Sequence, residues 1–136
     1  MKAFSLFLAA LLFLLTGCSD DATVIKNTTD TKPLSCLRLV VFPPDKLISD
    51  TLTKLYDFTE DCQNTLQVSQ KSGIVCNSNQ NADKKALSNF PSGYIRMDVM
   101  QAHKMIYSYY KDLTCKVSPT IVEQAFHRLK SDLLKE

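Results

Sequence analysis

The first fifteen residues constrain the chain most, because they are suited to export and not to folding. Lys2 is followed by an apolar run from Ala3 to Leu15, then small residues up to Cys18, then Ser19-Asp20-Asp21. One basic charge, an apolar stretch of roughly 7–15 residues and a small-residue cleavage site make a secretory signal. The run is too short to span a bilayer as a stable helix, which takes about 20 residues. The fold must therefore come from the residues beyond Cys18. Removing the first 17 of 136 residues leaves 119, enough for one small domain and a linker. In an oxidising compartment the four cysteines beyond residue 18, namely Cys36, Cys62, Cys76 and Cys115, are expected to form two disulfides, with three pairings open. None lies in a C-x-x-C pair, so neither a zinc ribbon nor a thioredoxin-type redox site is indicated.

Leu15-Thr16-Gly17-Cys18 resembles the lipobox of bacterial lipoproteins. The resemblance implies cleavage before Cys18 and a diacylglycerol on its thiol. Each buried methylene contributes about 0.8 kcal/mol; one acyl chain is marginal, whereas two or three form an essentially permanent anchor. In lipoproteins of the enterobacterial type, an Asp directly after the lipidated cysteine goes with inner-membrane retention. Ser19 stands there instead, which implies the periplasmic face of the outer membrane, with the inner membrane second. The expected organisation is a signal peptide over 1–17, a flexible tether over 18–35 and a periplasmic domain over 36–136.

Charge narrows the partners. Sixteen basic residues stand against fourteen acidic ones, and cleavage would remove Lys2. A nearly neutral domain has no electrostatic footprint for nucleic acid and no polybasic patch for lipid headgroups. The absence of Trp and the presence of only three Gly argue against a Gly-rich phosphate loop and a turn-dense β sandwich.

Residues 19–35, polar with isolated apolar side chains, read as the tether. Leu37 to Phe42 is a β-rich run stopped by Pro43-Pro44. From Asp45 to Leu66, Leu47, Ile48, Thr51, Leu52, Leu55, Phe58, Thr59 and Cys62 recur at helical spacing, which predicts about five turns. Gln67–Gly73 reads equally as a fraying helix end or a short strand, and Lys84–Phe90 as a short helix. Over Tyr94–Leu113 the stripe Ile95, Val99, Ala102, Ile106, Tyr109, Leu113 predicts a helix. The alternative is a hairpin over 94–111, supported by the Ile95/Met97/Val99 alternation and the tyrosines. Its turn at Gln101-Ala102-His103-Lys104 would lack Gly, Asn, Asp and Pro. Ser118-Pro119 opens a final helix with Val122, Ala125, Phe126, Leu129 and Leu133 on its apolar face. The expected fold is mostly α: a small disulfide-bonded helical domain with a short N-terminal extended segment, or α+β if the hairpin forms. Folding the 36–42 strand back along a straight helix favours Cys36–Cys62, since roughly 23 Å of strand matches roughly 27 Å of helix. Cys76 then pairs with Cys115.

No nucleophile, base and orienting group stand in a pattern that would assemble a catalytic centre. His103 and His127 lack partners at metal-ligand spacing, and Glu60-Asp61 reads as a solvated helix face. No enzyme activity, cofactor or metal is expected. Met97, Met100 and Tyr107 stand out as candidate partner-binding residues, because Met and Tyr are enriched in interface cores.

In its lipobox, length, tether and inferred helices the chain resembles the pilotins, small lipoproteins that bind a secretin subunit and carry it to the outer membrane. A second resemblance, through Gly93-Tyr94-Ile95, Cys115, Pro119, Val122 and Gln124, is to periplasmic immunity proteins of the type VI secretion amidase class. The cysteine that precedes the Gly-Tyr-Ile in that class is missing here, and the cysteine-to-proline spacing is longer. The expected partners are thus membrane lipid through Cys18 and one protein, either a secretin or pilus component or a periplasmic hydrolase. The expected action is non-catalytic, as an assembly factor or alternatively as an inhibitor.

Overall fold

The computed structural model describes residues 21–27, 32–74 and 91–134. Among these residues the chain forms a five-stranded mixed sheet with two helices: β1 (Thr23–Lys26), β2 (Arg38–Val41), α1 (Lys46–Leu55), β3 (Asn64–Lys71), β4 (Gly93–Gln101), β5 (Lys104–Leu113) and α2 (Pro119–Leu133). The spatial order is β1-β5-β4-β3-β2. Strands β2 and β3 are parallel and joined through α1, whereas β3, β4, β5 and β1 are antiparallel neighbours. The mostly helical fold is therefore corrected to a mostly β one.

The correction arises at two places. Tyr94–Leu113 is not a helix but the β4–β5 hairpin, turning at Ala102-His103. Its alternation is obscured because the register shifts at Val99/Met100, so four consecutive residues of β5, Ile106 to Tyr109, are all buried. A bulge brings both parities of a strand inward, and the resulting apolar spacing imitates a helical stripe. The predicted Asp45–Leu66 helix ends instead at Leu55. Beyond it, Tyr56 and Phe58 turn back to form edge-to-face and tilted ring contacts with each other and with Phe126 of α2. The chain then re-enters the sheet at Asn64, with Leu66 and Val68 buried in strand alternation.

Other readings are realised. Asp45 caps α1, accepting from the Ile48 amide at 3.1 Å. Ser118 caps α2 with Pro119 at the first turn, and the buried face is Val122, Ala125, Phe126, Leu129 and Leu133. Both helices share one core with Leu37, Leu66, Val68, Ile95, Met97, Val99, Tyr107 and Tyr109. Alternation along the strands places Arg38, Val40, Thr65, Gln67, Tyr94, Arg96, Asp98, Met100 and Tyr110 on the opposite face, which no described element covers.

The segment read as a flexible tether instead supplies an edge strand. Thr23–Lys26 pairs with Tyr107–Tyr110, and Leu34 bridges Leu134 beyond α2. Lys26 donates to Asp132 of α2 at 2.8 Å, and this charged contact holds the short, largely exposed β1 in place.

Cys36 and Cys62 form a disulfide, with Cα atoms 6.0 Å apart. The pairing is the one expected but the geometry is not a strand folded along a helix. The two cysteines precede β2 and β3, whose parallel pairing brings both starts to one end of the sheet. Cys115 carries a free, exposed thiol, in contrast to the expected Cys76–Cys115 bridge. Cys76, the Lys84–Phe90 helix and the Leu15–Cys18 lipobox lie outside the described residues.

Candidate functional site

At the hairpin end of the uncovered sheet face, a groove of ≈ 470 Å³ is lined by Arg38, Val40, Gln63, Thr65, Gln67, Met100, Ala102 and His103. Strand register assembles it. Arg38 of β2 lies beside Thr65 of β3, and Thr65 lies beside Met100 of β4. At the same end of the sheet, Gln101 Nε2 donates to Asn64 Oδ1 at 3.1 Å, and Asn64 Nδ2 donates to the Cys36 carbonyl at 3.3 Å. Asn64 thereby links the hairpin to the disulfide-bonded Cys36.

Arg38 is the distinctive group. It donates from Nη2 to Thr65 Oγ1 at 3.1 Å, and among the described residues no carboxylate pairs with it. The other arginine on this face, Arg96, lies toward the opposite end of the sheet and is by contrast bridged to Asp98 at 2.8 Å. A guanidinium with spare donors, held beside Val40, Met100 and Ala102, suits a carboxylate flanked by apolar side chains. Gln63 and Gln67 add amide donors and acceptors at the rim.

The structure separates the three residues singled out from sequence. Met100 lines the groove. Met97 and Tyr107 are both 0% exposed, so they are core residues and present no surface to a partner. Tyr107 instead donates to Asp132 Oδ2 at 3.0 Å, and Arg128 donates to the same oxygen at 3.0 Å. Burial, and after it the hydrogen bond to Asp132, pushes the Tyr107 hydroxyl well above the usual phenol range. Burial would raise the Asp132 carboxyl too, but hydrogen bonds from Lys26, Arg128 and Tyr107 outweigh it and hold the group below its ordinary value. This cluster joins β1 to α2; it is a structural latch.

Arg38 escaped the sequence reading, although the pattern Leu37-Arg38-Leu39-Val40-Val41 marks it as the outward charge of an otherwise apolar strand. His103 sits at the hairpin tip and His127 on the exposed side of α2. Among the described residues no group of three or more His, Cys, Asp or Glu could hold a metal ion, and no helix is long and apolar enough to cross a membrane. Comparison with known protein families, with curated proteins and with solved structures gives no match.

Proposed function

We propose that the protein is a lipid-anchored periplasmic component that acts without catalysis, by gripping a protein partner in the groove at the hairpin end. The observation that carries this reading is Arg38, which no described carboxylate pairs, set between Val40 and Met100 on an uncovered sheet face. Arg and apolar anchors seated in a pocket are the residues on which binding energy concentrates. The disulfide fits an exported chain, and the lipobox at Leu15–Cys18 supplies the anchor. The likeness to pilotins loses its helical part, since the domain is built on a sheet. The lipobox and the length are what favour an assembly role in an envelope secretion or pilus machine.

The test is a pull-down from detergent-solubilised envelopes, with the acylated full chain as bait and its Arg38→Glu variant as control. An outer-membrane secretin or pilus subunit that is captured by the first and lost with the second supports the proposal. A soluble cell-wall hydrolase with the same dependence replaces the assembly role by an inhibitory one. Equal capture by both baits overturns the groove as the binding site.

A further inference from the structure

The end of the sheet opposite the groove carries exposed Phe42 and the half-buried rings of Tyr94 and Tyr110. Thr23 of β1 pairs with Tyr110 of β5, Tyr110 with Arg96 of β4, and Arg96 with Ser69 of β3. Phe42 completes the row beside Ser69, its amide bonded to the Val68 carbonyl at 3.0 Å. Phe42 is 74% exposed, the most exposed large apolar side chain among the described residues, and Leu47 follows it closely at the start of α1. Next to the row, Tyr94 stacks on Tyr110 with ring centroids 5.5 Å apart. Ile25 and Val40, also exposed, belong to the adjoining row on the same face. Phe42 and Leu47 thus mark the far end, whereas Ile25 and Val40 lie one row closer to the groove, which Val40 itself lines.

That end is also where the chain enters the fold from Cys18. Five residue steps separate Cys18 from Thr23. At no more than about 3.6 Å per step they reach roughly 18 Å, whatever their conformation. The headgroup zone of a leaflet takes up on the order of 6 Å of that. An acylated Cys18 therefore keeps Thr23, and Tyr110 beside it, close to the lipid surface, and no long tether intervenes. Tyrosine pairs an apolar ring with a polar tip and concentrates at the headgroup level, where an exposed Phe is also accommodated.

We propose that the Phe42, Tyr94 and Tyr110 end of the sheet rests on the phospholipid surface that holds Cys18, so that the groove points away from the membrane. This rests on the lipid-anchor reading of Cys18. Lys104, at the hairpin end, lies six residues along β5 from Tyr110, about 20 Å farther from the bilayer.

The chain contains no Trp, so a single introduced indole is an unambiguous reporter. The full-length protein is purified with Phe42→Trp, Tyr94→Trp or Lys104→Trp, its acylation is checked by mass, and it is reconstituted into phosphatidylethanolamine–phosphatidylglycerol vesicles. A phospholipid carrying a headgroup nitroxide then serves as the quencher. The expected result is a several-fold greater loss of emission at positions 42 and 94 than at 104. Acylated protein with equal quenching at all three positions overturns the docking and leaves the anchor standing. A chain whose Cys18 carries no acyl group overturns the anchor and the docking together. The two aromatic positions report independently, so one poorly folded variant does not decide the outcome.

Discussion

Ala102 and His103 both lie in the left-handed region, with φ of 47° and 66°. A two-residue hairpin turn of the mirror-image type demands positive φ at both positions, because only its twist matches that of the flanking strands. Asn and Gly meet that demand readily, whereas residues bearing an ordinary Cβ are strained there by about 1–2 kcal/mol each. The hairpin forms against its own turn chemistry, held by the long β4–β5 ladder. The double variant Ala102→Asn/His103→Gly is expected to raise stability by about 1–2 kcal/mol in urea unfolding. An unchanged midpoint would show that the ladder does not strain the turn. Gly93 presents the opposite case. A Cβ added there would collide with the Lys71 carbonyl oxygen of the neighbouring strand. Gly93→Ala is expected to cost about 1–3 kcal/mol, the usual penalty for overpacking, again read from the urea midpoint. The Gly-Tyr-Ile at 93–95 thus has a packing reason of its own.

At the scale of elements, the Asp132 latch decides whether β1 stays in the sheet. Lys26 ties β1 to α2 through its side chain, and β1 has only four residues to pair with β5. Asp132→Asn removes the charge that Lys26, Arg128 and Tyr107 all address; hydrogen bonds to a charged group are worth about 1.5–3 kcal/mol, and a loss of that order is expected. Hydrogen exchange should show the β1 and β5 amides opening before those of β3 and β4. Because the folded-state carboxyl titrates below its ordinary 3.8, the unfolded chain takes up its proton first as pH falls. The latch therefore contributes fully above about pH 5 and is lost as pH drops through 3.8 and below. Asp132→Asn should flatten that acidic limb of the stability profile, and an unchanged limb would assign it to other carboxylates. Elements with a single buried face were legible in the sequence: α2, with its Ser118-Pro119 start, and the β2 run ending at Pro43. The hairpin was legible only as an alternative, because a bulge buries both parities of β5. The groove was less legible still, since Arg38, Thr65 and Met100 meet only through strand pairing across the sheet.

At the scale of the whole molecule, the disulfide governs more than local order. It is the covalent link between the starts of the two parallel strands, a non-local pairing whose loop-closure entropy must be met before its contacts form. Cys36 and Cys62 have a sequence separation of 26, and closing a loop of that size restricts the unfolded chain by about 3–4 kcal/mol on the entropy model. That is a large share of the 5–15 kcal/mol typical of a small domain. The bridge also stands at the groove. Arg38 follows Cys36 by two residues, Gln63 follows Cys62 directly, and Asn64 bonds the Cys36 carbonyl. Reduction, or the Cys36→Ala/Cys62→Ala double variant, is therefore expected to lower stability by about 3–4 kcal/mol. It should weaken partner capture even at temperatures where the chain stays folded. Both effects can be read on one sample, from urea midpoints with and without reductant and from capture by the folded fraction. A full stability loss with unaltered capture would place the partner away from the β2–β3 start. Unaltered stability would mean that the α1 crossover and the β3–β4–β5 ladder already hold the parallel pair without the bridge.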